Sequence, residues 1–220
     1  MTVPAGFFAE HTRLVRTPLV PEVVLHLADD VAALWQAMED AAGVGEVPGP
    51  GEASPFWAAA WIGGQGLARY VLDHPDLVAG RTVLDLGAGS GLVAVAAALA
   101  GADRVLASDV DPYALAVIPL NAAANGVRGV EPVGDVLDDD WGGPRLSTVD
   151  VVLAGDVFYD LRMADRVRPW LFTGWVRGAI VLVGDPGRSQ LPEALVEVAG
   201  YDVADSGVDP ARRTTVWRLP

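Results

Sequence analysis

The stretch Val83-Leu84-Asp85-Leu86-Gly87-Ala88-Gly89-Ser90-Gly91 decides the fold. An apolar run meets three glycines at alternate positions, and an alanine- and valine-rich segment follows at once. That order reads as a strand over 82–86, a tight turn, and a buried helix opening at Leu92. Without Cβ atoms the turn can be sharp, a ligand can approach the backbone, and N–H groups can point at carboxylate or hydroxyl oxygens. A dinucleotide-binding turn spaces its glycines G-x-G-x-x-G. Here the third glycine comes one residue early, and Leu92 stands where that fingerprint has glycine. The spacing favours a nucleoside ligand without pyrophosphate.

Outward from this turn, apolar β-branched runs alternate with longer helical patterns from Arg81 onward, which is the signature of an α/β fold with a mostly parallel sheet. Further strands are expected at 104–108, 130–133, 149–154 and 179–183. The first helix places Leu92, Val95, Ala96 and Leu99 on one face and is ended by Gly101. The second starts at Asp111-Pro112, an Asp cap with Pro at the first helical position, and stops at Asn125-Gly126. At the tail, 201–203 and 214–219 read as two strands joined by a long connection, an antiparallel addition to the sheet. Residues 1–55 lack the alternation. Leu27, Val31, Leu34, Trp35 and Met38 space as a helix face, and 43–55 holds four glycines and three prolines, so 1–55 is expected to be a helical cap and linker on a ligand-binding domain of 56–220, the two forming one structural unit.

In open α/β sheets ligands bind beyond the carboxyl ends of the strands. Asp109 ends the second strand, twenty residues beyond Gly89, where a carboxylate accepts ribose hydroxyls. A dehydrogenase uses the same device, so Asp109 points to a nucleoside without naming it. Asp111 is explained as a helix cap. Asp135 follows the third strand, placed to accept from an adenine amino group, and the fourth ends in Gly155-Asp156-Val157-Phe158-Tyr159-Asp160, where an acceptor is expected.

Bulk properties narrow the classes. A formal charge of −14 argues against nucleic-acid binding, which rests on Lys and Arg, and favours cationic partners. With no cysteine there is no disulfide, thiolate metal site or Cys nucleophile, and no metal is expected. The apolar stretch 92–100 is too short to cross a bilayer, and 1–16 has no export or import pattern, so a cytoplasmic protein is expected.

Together VLDLGAGSG, the acidic strand end ASDVD and AGDVFYD resemble the class I, seven-strand S-adenosylmethionine-dependent methyltransferases. With the 56–65 segment FWAAAWIGGQ, VGDPGR at 183–188 and TTVWRL at 214–219, the chain resembles the electron transfer flavoprotein β-subunit lysine methyltransferase group from about Phe7 to Trp217. The resemblance implies a Rossmann-like sheet with one antiparallel C-terminal strand. It implies that Gly87, Ala88, Gly89 and Gly91 cradle the methionine half of the cofactor while Asp85 orders their loop. Asp109 then takes the ribose and Asp135 the adenine. Trp61, Gly64 and Gln65 close over the cofactor, Gly155 belongs to the same rim, and Asp156 and Tyr159 face the donor and the incoming amine. Asp156 is assigned to aligning the amine and relaying its proton through water, and Tyr159 to shaping the acceptor channel. The acceptor so implied is a protein lysine, on the flavoprotein β subunit in that group. The start of the chain lacks the targeting segment of animal members, which implies a bacterial one. Two other functions share these residues: methylation of a small amine or of another protein such as a ribosomal subunit, and non-catalytic nucleoside binding. A nicotinamide-dependent oxidoreductase is disfavoured by the glycine spacing.

Overall fold

The computed structural model describes residues 3–4, 6–42, 54–203 and 212–220. Seven strands form one sheet in the order β5-β4-β3-β6-β7-β9-β8: β3 (Thr82–Leu86), β4 (Arg104–Ser108), β5 (Val130–Val133), β6 (Val151–Gly155), β7 (Ile180–Asp185), β8 (Val196–Val203) and β9 (Arg212–Arg218). Strands β3 to β7 are mutually parallel, and β9 runs antiparallel to both of its neighbours. Strand order reverses between β3 and β6, and the crevice at that switch point is where such sheets take ligands.

The central strands read as unbroken apolar runs because both of their faces are buried. Val83, Val105, Val151, Leu153 and Leu182 face a core shared with α3 (Ile62–Asp73) and α4 (Leu92–Leu99). Leu84, Leu106, Val152, Ala154 and Val183 face the opposite core, filled by Trp141 and by Val167, Trp170 and Leu171 of α6 (Leu161–Val176). The expected amphipathic pattern of α4 is a correction: every residue from Leu92 to Ala97 is buried, because the helix lies under α3 as well as on the sheet, and Leu99 ends up exposed. Its stop at Gly101, with φ of 93°, matches expectation. So does α5 (Pro112–Ala124), whose cap Asp111 accepts from the Tyr113 N–H at 2.8 Å.

The N-terminal segment departs from an all-helical cap. After α1 (Phe7–His11) come β1 (Arg13–Arg16) and β2 (Val24–Leu27), an antiparallel hairpin, and only then α2 (Val31–Ala42). Leu27 therefore lies on a strand and is not part of the helix face. The hairpin is fixed to α5 by side-chain amides, Asn125 accepting from the Val24 N–H at 2.9 Å and Asn121 from that of His26 at 2.7 Å. Four-residue strands give too short a period-2 signal to register against a longer helical pattern. Residues 43–53 of the expected linker lie outside the described residues, as does the 204–211 connection between β8 and β9. Among the described residues no helix is long and apolar enough to cross a membrane.

Candidate active site

The carboxyl ends of β3 and β6 open into a cavity lined by Ala59, Trp61, Gly64, Asp85, Gly87, Ala88, Gly89, Ser90, Leu92, Val93, Gly155 and Asp156. Its floor is the glycine turn. Gly87, Gly89 and Gly91 all have positive φ, of 68°, 52° and 78°, a conformation that side chains with Cβ atoms rarely adopt. Three bonds hold the turn from outside: the Ala88 N–H donates to the Ser108 carbonyl at 2.9 Å, the Gly89 N–H to the Asp109 carboxylate at 2.8 Å, and the Asn121 amide to the Ser90 carbonyl at 2.7 Å.

Asp85 is fully buried beneath the turn and accepts from the Ala94 N–H at 2.9 Å, in the first turn of α4. Burial pushes its carboxyl up to about 7, opposed by that N–H and reinforced by the charge of Asp109. Asp109 is itself raised by burial, against N–H donors that include Asp111 and Gly89. Asp111 is pushed up to about 6, again by burial first and then by Asp109. Among the described residues these carboxylates have N–H donors but no cation paired with them.

The other wall is organised by Asp156. The first turn of α3 has N–H groups without intrahelical partners, and its N-cap, Trp61, offers no side-chain acceptor. Asp156 supplies one from 92 residues away, its Oδ2 accepting from the Gly64 N–H at 2.8 Å. This cross-chain cap demands close approach: a Cβ on Gly155 would lie 2.9 Å from the Gly64 Cα, and one on Gly63 would lie 2.6 Å from the Asp156 carboxylate. Asp156 meets the demand with a φ of 58°, an uncommon value for a residue other than glycine. Its Oδ1 accepts from Arg188 at 2.9 Å, and the same guanidinium nitrogen donates to the buried Asp185 at 2.8 Å. Burial raises the Asp156 carboxyl, and Arg188 and the Gly64 N–H oppose the rise.

The chain matches the family model described as ribosomal protein L11 methyltransferase over residues 69–157. It is 36% identical to the electron transfer flavoprotein beta subunit lysine methyltransferase of Rattus norvegicus, with 91% of this chain and 74% of that one covered. Against the protein of the same name from Xenopus laevis the identity is 36%, covering 98% of this chain and 87% of the relative. The chain belongs to this methyltransferase family. A solved methyltransferase from Streptococcus mutans, 15% identical, shares the fold at a TM-score of 0.53 over 73% of this chain and 50% of its own. The expected Rossmann-like methyltransferase sheet with its antiparallel C-terminal strand is thus the observed one.

In this methyltransferase the expected site residues fall into two sets. Trp61, Gly64, Asp85, Gly87, Ala88, Gly89, Gly155 and Asp156 line the one cavity. Gly91, Asp109, Asp135, Gln65 and Tyr159 do not, each for a visible reason. Gly91 caps α4. Asp109 stands behind the turn and holds it, accepting from the Gly89 and Asp111 N–H groups. Asp135 accepts from the Leu137 N–H at 3.0 Å and pairs with Arg166 at 2.9 Å. Gln65 is buried and bonds to the Ala60 carbonyl and the Leu19 N–H, so its amide ties α3 to the N-terminal segment. Tyr159 is half exposed, its ring centroid 6.1 Å from that of Phe56.

Sequence reasoning quoted the VGDPGR motif but gave Asp185 and Arg188 no role. The signal was present: an Asp directly after an apolar strand, at the same edge as Asp85, Asp109 and Asp156. Arg188 also lines a second, wider groove of ≈ 590 Å³ with Ala59, Ala60, Trp61, Ile62, Pro186, Arg212 and Arg213. Ala59 and Trp61 are walls of both spaces.

The family implies a methyl donor built on a nucleoside, and the residues around this cavity are of the kinds such a donor needs. The glycine turn runs at positive φ along its floor, and the carboxyl groups of Asp85 and Asp109 stand at the ends of the neighbouring strands β3 and β4.

Proposed function

We propose that this methyltransferase uses S-adenosylmethionine to methylate the side-chain amine of a protein lysine, and that the β subunit of an electron transfer flavoprotein carries that lysine. The reading is supported by 36% identity with the flavoprotein-directed enzyme over an aligned span of nine-tenths of the chain. Gly87, Ala88 and Gly89 would hold the amino-acid half of the donor, Asp109 its ribose and Asp135 its adenine. When bound, the donor supplies a methyl group on a sulfonium, open to in-line attack by a neutral amine.

The protein's part is orientation and exclusion of water. A free lysine, with pKa near ~10.4, is almost wholly protonated at pH 7, so the amine must lose a proton before it reacts. An apolar wall favours that loss, and a carboxylate opposes it. Asp156, bonded on both oxygens yet keeping a lone pair on each, is suited to accept one N–H of the amine and so set its direction. The proton then leaves through water. If Asp156→Asn keeps full turnover with unchanged cofactor binding, this role is wrong.

The test is mass spectrometry of the purified flavoprotein β subunit after incubation with enzyme and S-adenosylmethionine. A lysine gaining mass in multiples of a methylene is expected. The enzyme has 15 basic residues, all arginine and none lysine, so every methyl-lysine in such a mixture belongs to the partner. An unmodified β subunit would overturn the substrate. A second acceptor class, a ribosomal protein, is favoured by the family match over 69–157, and labelled donor in cell extract separates the two by the mass of the labelled band.

A further inference from the structure

Three large aromatic rings stand exposed at the mouth of the site: Phe56 at 50%, Trp61 at 44% and Tyr159 at 53%. They touch in series, Phe56 centred between Trp61 at 5.8 Å and Tyr159 at 6.1 Å. Isolated exposed apolar side chains are ordinary, but a contiguous group beside a cavity marks a binding surface. These rings are also held in place. The Trp61 indole N–H donates to the Phe56 carbonyl at 2.8 Å, and Phe56 and Tyr159 each follow or precede in sequence a fully buried aromatic neighbour, Trp57 and Phe158.

The surroundings select the sign of the occupant's charge. Trp61 walls the cavity that holds Asp156, and the Tyr159 hydroxyl pKa is raised by burial first and then by the negative charges of Asp160 and Asp109. Aromatic faces are themselves electron-rich and attract cations within about 6 Å. An occupant passing these rings on its way to Asp156 gains most if it is a cation on an apolar stem.

We propose that Phe56, Trp61 and Tyr159 form an aromatic subsite that captures the acceptor's alkylammonium and holds it between successive methylations. The inference rests on the methyltransferase reading and adds Phe56 as a substrate-binding residue. The rings stabilise the protonated, unreactive amine, so the subsite is a holding point at the mouth, and bond formation lies further in, beside Asp156. Methylated ammonium remains a cation, so the hold persists as methyl groups accumulate.

The test uses tetramethylammonium as the probe and tert-butanol as a neutral partner of similar shape. Each is titrated into ¹⁵N-labelled protein, and the Trp61 indole resonance is followed, identified by its loss in Trp61→Phe. Saturable movement with tetramethylammonium and none with tert-butanol is expected. Phe56→Leu should weaken the probe about two- to fivefold, and Phe56→Trp should keep it. Calorimetry with S-adenosylhomocysteine should give the same affinity for Phe56→Leu as for the unaltered protein, which also checks its fold. A still Trp61 signal, equal response to the neutral compound, or full probe affinity in Phe56→Leu would each overturn the subsite. Normal S-adenosylhomocysteine binding with no response to the cation rejects the subsite alone. Response to the cation without S-adenosylhomocysteine binding supports the subsite and rejects the methyltransferase reading it was built on.

Discussion

The carboxylates on the two sides of the switch point are held in opposite ways. On the β3–β4 side, Asp85 is buried and Asp109 and Asp111 are half-buried, all with backbone N–H donors and, among the described residues, no paired cation, and burial raises all three. On the β6–β7 side, Asp156 and Asp185 share the guanidinium of Arg188. The first side keeps unspent capacity to accept hydrogen bonds, which suits a wall that takes hydroxyls from a ligand. The second is braced by one cation shared between two carboxylates, which leaves a net negative charge and suits a wall that must keep its shape while an amine comes and goes.

The largest expected effect tests the first side. A carboxyl raised on folding contributes stability that is complete below its unfolded pKa and is lost as pH rises through the folded value. For Asp85 that window runs from about 4 to about 7. Relative to Asp85→Asn, the unaltered ligand-free protein should lose on the order of 4 kcal/mol across it, read by urea unfolding at successive pH values. A flat difference would show that Asp85 ionises freely.

Arg188→Met tests the second side by leaving two buried carboxylates without their cation. About 3 kcal/mol of stability should go, seen as a Tm lower by roughly 10 °C, with the loss smaller at low pH where the Asp156 carboxyl, raised by burial, is protonated. An unchanged Tm would mean that the guanidinium is dispensable.

Asp109→Ala should reduce S-adenosylhomocysteine affinity by about thirtyfold in calorimetry, because it removes both a ligand acceptor and the anchor of the Gly89 N–H. The smallest effect is assigned to Tyr159→Phe. If the ring alone shapes the mouth, turnover should stay within about threefold, since the ring is kept and only the hydroxyl is lost. A hundredfold loss would give that hydroxyl a chemical role.

Much of this was legible in sequence because it was written locally. Strands β3, β4 and β5 appear at their expected bounds, and the flanking strands shift by one or two residues, as helix and strand ends commonly do. The tail strands are longer than expected, since β8 begins at Val196 in a stretch whose Glu and Gly residues mask its pattern. The N-terminal hairpin was hidden for a different reason. Its stability comes from Asn121 and Asn125, about a hundred residues away, and from burial of Val20, Val23 and Leu25 against the core of α3 and α4.

The sequence by itself determined which residues can make a nucleoside site: glycines tolerate positive φ, strands end in carboxylates, and both properties belong to single residues or to neighbours in the chain. Only the tertiary structure decided that Asp156 caps a helix 92 residues before it and shares Arg188 with Asp185, and that three rings meet at the mouth. Those are relations between distant segments. They follow from strand order and from the close packing of α3 on glycines, which no local pattern encodes.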